Sequence, residues 1–198
     1  MAIVVHQFDS PDRFVAGTVG QPGERTFFLQ AREGNRITSV VVEKQQVSVL
    51  AEHLERVLEE VRRRSSGQAA VPPPVDQATD ISPLDAPISE DFRVGTMTIA
   101  WDPSVNKVVI ELFSNVDAGE EAEVAETDDP PALPQADEEI DADEMIVVKI
   151  SPAYARDFIA RAQALVAAGR PVCPFCLQPI DADGHICPRA NGYRRPLF

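Results

Sequence analysis

Residues 3–43 read IVVHQFDSPDRFVAGTVGQPGERTFFLQAREGNRITSVVVE, and this stretch decides the fold class. Four runs, IVVHQF, RFVAGTV, RTFFLQAR and ITSVVVE, carry the β-branched and aromatic residues that suit a pleated, half-buried surface. Ser10-Pro11-Asp12, Gly20-Gln21-Pro22-Gly23 and Gly34-Asn35 separate them, supplying a fixed proline φ or tolerance of positive φ. A meander of antiparallel strands is expected.

Beyond Lys44 the period lengthens. Val47, Leu50, Leu54, Val57, Leu58 and Val61 recur at helical spacing, with Glu52, Glu55, Arg56, Glu59, Arg62 and Arg63 on the other faces. The pattern repeats further on: strand character in FRVGTMTIAWD, KVVIELFS and EMIVVKI, then a helix with Ser151 as N-cap and Pro152 in its first turn. Tyr154, Phe158, Ile159, Ala162, Leu165 and Val166 give that helix a buried face, and Gly169 with Pro171 ends it. Phe14, Gly17 and Thr18 in FVAGT match Phe92, Gly95 and Thr96 in FRVGT, which reads as an internal repeat.

The expected class is α+β: two strand-rich units, each an antiparallel sheet followed by one amphipathic helix, and a zinc-ribbon-like knuckle at the C-terminus. The boundaries are residues 1–64 for the first unit, 65–91 for a Pro-rich linker, 92–170 for the second unit and 171–198 for a metal-binding segment with a basic tail. The linker is expected to be extended or disordered, because its prolines remove backbone donors and restrict their neighbours. An acidic disordered insertion, residues 116–143, interrupts the second unit, where a long loop costs little more than a short one.

The 198 residues carry a net charge of −14, but the charge is concentrated. Residues 117–144 hold thirteen of the 32 acids and no base, leaving 19 acids against 18 bases elsewhere. A self-repelling acidic run solvates readily and repels nucleic-acid phosphates. With 44% hydrophobic residues, a sizeable core is expected. No charged leader precedes an apolar run and no stretch of membrane-spanning length occurs, so a cytoplasmic protein with no membrane contact is expected.

All three cysteines lie in CPFCLQPIDADGHICP: Cys173, Cys176 and Cys187, with His185 beside the last. A CxxC turn aims two thiolates at one ion, and a His-x-Cys pair after Gly184 completes a tetrahedron, which suits structural Zn2+. Such an ion would hold together a piece too small to bury its own core. Three rival readings stand beside this one. These are free thiols in a loop, redox chemistry by CPFC, which prefers a helix N-terminus over the helix end found here, and Asp181 or Asp183 replacing a ligand. A filled four-ligand site leaves no place for water, so the expected metal is not catalytic.

Arg189, Tyr193, Arg194 and Arg195 follow, a candidate surface for an anion or a partner. The bland alternative is a basic tail pairing with the chain's own carboxylates. His6 and His53 read as core or surface histidines, Trp101 as core, and the Gly17–Gly20 region lacks the lysine of a phosphate loop. Asp9, Asp12, Glu24, Arg25 and Arg32 border the first strands, where convergence on a cleft would signal catalysis. The expected function is a non-catalytic module that docks another protein. An enzyme with a site in a cleft of the scaffold and a nucleic-acid binder using the knuckle and arginine tail are the alternatives.

FDSPDRFVAGTVGQPGERTFFLQAREG near the front, with CPFC and GHICPRANGYRR at the end, resembles an uncharacterised actinobacterial family built on a domain of unknown function. The resemblance spans most of the chain, with the Pro-rich and acidic stretches as its variable parts. It implies a cytoplasmic protein of no assigned activity, with metal positions at Cys173, Cys176, His185 and Cys187, and it supplies no catalytic residue.

Overall fold

Each strand and helix expected from the sequence forms. The computed structural model describes residues 3–21, 23–65, 70–115, 142–169, 173–176, 180, 187 and 189. In chain order the elements are β1 (Val4–Phe8), β2 (Arg13–Val19), β3 (Thr26–Glu33), β4 (Arg36–Val42), α1 (Lys44–Arg64), β5 (Phe92–Asp102), β6 (Lys107–Ser114), β7 (Glu144–Ile150) and α2 (Pro152–Ala167). Ser151 caps α2 by accepting a hydrogen bond from Tyr154 N at 3.2 Å. At α1 the Glu43 N–H donates to Gln46 Oε1 at 2.8 Å.

The seven strands form one sheet in the order β1-β7-β6-β5-β4-β3-β2. The expectation of antiparallel sheets needs correction, because the sheet is mixed. β2-β3-β4 and β5-β6-β7 are antiparallel meanders, but β4 pairs with β5 in parallel and β1 with β7 in parallel. The first parallel pair is permitted by a long return path, in which α1 and residues 70–91 precede β5, as a parallel crossover requires. β1 does not form a hairpin with β2. Its register runs from Val4↔Glu144 to Phe8↔Val148, along the far edge.

That placement forces curvature. Only residues 9–12 join β1 to β2, so Phe8 and Arg13 are five Cα steps apart and at most about 18 Å. In a flat sheet, six strand spacings would separate them by about 29 Å. The sheet therefore curls until its two edges approach. Arg36 at the start of β4 donates to Gln7 O and stands 4.2 Å over the Phe8 ring. Pairing is shortest at the β4–β5 seam, where only Val40↔Phe92 and Val41↔Arg93 pair.

α1 and α2 fill the concave side. Phe14, Leu29, Val40, Ile110, Leu112 and Val148 from the sheet share one core with Leu50, Leu54 and Leu58 of α1 and with Phe158 and Ile159 of α2. The Phe14 and Phe158 rings stack 5.0 Å apart, and Tyr154 Oη accepts from Phe14 N at 2.6 Å. Residues 70–91, within the Pro-rich stretch, take neither helix nor strand but act as a strap. The strap meets Arg156 and Asp157 of α2, passes the β2 edge, and crosses the outer face of β2, β3 and β4. There Asp85 and Gln30 exchange hydrogen bonds of 3.0 and 2.7 Å, and Asp91 accepts from Ser39 N at 2.8 Å. Val15, Phe28 and Val41 on that outer face are thereby buried. An edge strand wrapped in this way offers less template for pairing with another chain.

Candidate metal centre

α2 ends at Ala167, and the Ala168 carbonyl accepts from Arg25 Nη1 at 2.5 Å, tying the helix end to the start of β3. Soon after, Pro174, Phe175 and Cys176 form a turn that places the second thiol of CPFC back against the first. Cys187 returns to the same point: its Sγ lies 3.7 Å from Cys173 Sγ, and the three sulfurs fall within 4.8 Å of one another. Cys173 and Cys187 are buried, Cys176 is half-buried, and none is in a disulfide.

Three soft donors at that separation could hold a metal ion. The turn also prepares the charge state. The Cys176 N–H, foremost, and the Phe175 N–H point at the Cys173 sulfur, and with the neighbouring thiols they draw its pKa from 9.0 down to about 6 against the opposing effect of burial. Thiolate is the form that ligates. His185, Asp181 and Asp183, as well as Tyr193, Arg194 and Arg195, lie outside the described residues. Arg189 is described, and its Nη1 donates to Phe175 O at 3.0 Å, while the Phe175 ring is 61% exposed.

The charged residues around the first strands do not converge. Asp12 accepts from Gly34 N at 2.6 Å at the β3–β4 turn, Arg25 binds the end of α2, and Arg32 Nε reaches Asp85 of the strap at 3.1 Å. His6 lies 3.1 Å from Glu144 at the β1–β7 edge. His53 is half-buried on α1, and its pKa is lowered by burial and then by Arg56.

Two features escaped the sequence reading. The first is an ionic knot. Asp80 accepts from Arg13 Nε at 2.6 Å and Nη2 at 3.1 Å and lies 3.4 Å from Arg161 Nη1, so one carboxylate joins β2, α2 and the strap. Its members sit 67 and 81 positions apart along the chain, beyond any local pattern. The second is a groove between the C-terminal half of α1 and the end of β5, containing Trp101. Trp101, expected in the core, is instead half-buried at its margin and also lines this space.

Among the described residues, no helix is long and apolar enough to cross a membrane. Comparison with curated proteins and with solved structures yields no match. A family model described as a protein of unknown function, DUF3090, matches residues 6–187, and the chain belongs to that family.

Proposed function

We propose that this chain is a non-catalytic docking protein of the cytoplasm, whose C-terminal segment is folded by one structural Zn2+ on Cys173, Cys176, His185 and Cys187. The observation that carries the reading is the pairing of buried thiols with an exposed aromatic in one turn. The sulfurs converge inward while Phe175, between them in sequence, stands 61% exposed. Gathering three thiols at one point costs the chain conformational freedom, and the binding of an ion offsets that cost. An exposed ring held in a rigid turn offers an apolar anchor that a partner's surface can cover.

Phe175 beside Arg189 is also the composition found at the energetic centres of protein interfaces, where aromatic and arginine side chains dominate. A four-coordinate ion leaves no open position for substrate, so the metal serves folding rather than reaction. A reducing compartment keeps the three thiols available as ligands.

Metal analysis of the native protein is expected to give one zinc per chain, lost in Cys173→Ser. Phe175→Ala is expected to keep its zinc yet lose a stoichiometric partner that crosslinks to the intact protein. Metal-free native protein would defeat the zinc assignment, and equal crosslinking by Phe175→Ala would defeat the docking assignment.

A further inference from the structure

The groove beside Trp101 has the chemistry of a ligand site distant in sequence from the cysteines. It occupies about 750 Å³, within the roughly 300–1,000 Å³ range of small-molecule sites. Val57 and Val61 of α1 form one wall and Ile99 and Trp101 of β5 the other. The lining residues run from Arg56 to Ser65, so the groove follows α1 for about 13 Å.

Its charge is opposite to that of the chain as a whole. Against a net charge of −14, the charged side chains lining the groove are Arg56, Arg64 and Glu60. Arg56 and Arg64 are 68% and 78% exposed, and Arg56 stands 3.9 Å from its nearest carboxylate, Glu52. Glu60 is ion-paired to Arg64 and also to Arg63 outside the groove, which leaves Arg56 as the lining cation without a close carboxylate. An apolar trough with a cationic rim suits a molecule that is apolar along its body and anionic at one end.

We propose that this groove binds a small amphipathic organic anion, with its hydrocarbon or aryl body against Trp101, Val57, Val61 and Ile99 and its acid group at the Arg56 end of the rim. The site is independent of the cysteine centre and of the docking role assigned to it.

Trp101 is the only tryptophan in the chain, so intrinsic fluorescence reads the groove directly. The full-length protein is titrated with sodium decanoate and, in parallel, with decyltrimethylammonium, both below their micelle-forming concentrations. A saturable spectral change is expected with decanoate at an affinity at least tenfold above that for the cation. In Arg56→Gln with Arg64→Gln, that preference is expected to fall to within about twofold, with the thermal midpoint of the free protein unchanged because both side chains are exposed. Equal response to the two amphiphiles, an unsaturable response, or a preference that survives the double variant would overturn the proposal. A response to an acidic amphipathic peptide but not to decanoate would give the groove to a protein partner and would also overturn it.

Discussion

Leu84 of the strap lies against Gly17 of β2 so closely that a Cβ built on the glycine would stand 2.6 Å from Leu84 Cγ and Cδ2. The φ of Gly17 is not the reason for glycine here; the strap's approach is. Gly17→Ala should therefore displace Leu84 and cost about 1–3 kcal/mol, the usual range for overpacking. In a Leu84→Ala background the same change should cost much less, since the obstacle has been removed, and urea unfolding of the four proteins measures the coupling. Additive effects would show that the strap does not press on β2 at this point.

Acid should loosen the strap. The Asp80 carboxyl is held below its ordinary pKa, chiefly by the hydrogen bonds from Arg13, while burial opposes the shift. A carboxyl with a depressed folded pKa stabilises fully above its unfolded value of about 3.9, and that contribution disappears as pH falls through the folded value. Asp80→Asn should lower stability at neutral pH by about 1.5–3 kcal/mol, the worth of charged hydrogen bonds. The difference from the native chain should shrink as pH drops below about 4. Chemical unfolding as a function of pH checks both the size and the sign.

The pair formed by Arg156 and Glu59 should respond unequally to its two deletions. Arg156 is 2% exposed, donates to Glu59 at 2.7 Å and Pro72 O at 3.1 Å, and leaves Nη1 without a hydrogen bond at 3.7 Å from Glu55. Arg156→Met keeps the packing and removes the buried charge, leaving Glu59, already 40% exposed, to water. Its expected cost is small, whereas Glu59→Gln leaves the buried guanidinium with Glu55 as its more distant carboxylate and should destabilise more. Thermal unfolding of both variants decides the order.

Metal removal should be a local event. Cys173 and Cys187 are buried, but neither belongs to the core shared by the sheet and the helices. A strong chelator is expected to make the chain beyond Gly169 sensitive to protease while far-UV circular dichroism and the main thermal transition change little. Loss of the whole transition on chelation would show that the ion supports the sheet as well.

How much of this was legible in the sequence depended on how far each cause reaches along the chain. FRVGTMTIAWD is β5 and KVVIELFS is β6 residue for residue, because alternation and turn chemistry act over a few positions. The Ser151 cap and the CxxC turn were readable for the same reason. Strand β1 was recognised as a strand but given the wrong neighbour: Ser10-Pro11-Asp12 signals a change of direction without saying which edge receives the strand. The strap was the hardest to read. Its prolines suppress regular structure, while the features that order it, Arg13, Gly17, Gln30 and Ser39, lie in strands some 50 to 70 positions earlier.

The partnership of β1 with β7 also sets an order of events during synthesis. Val4 meets Glu144, 140 positions later, so β1 is made before the other six strands of the sheet yet is among the last to find its place. β2, β3, β4 and α1 can associate as they emerge, while β1 waits as an unsatisfied ribbon until β7 arrives. Completion of the sheet is thus conditional on synthesis through β7, and a product stopped before residue 144 would leave the margin of β6 bare.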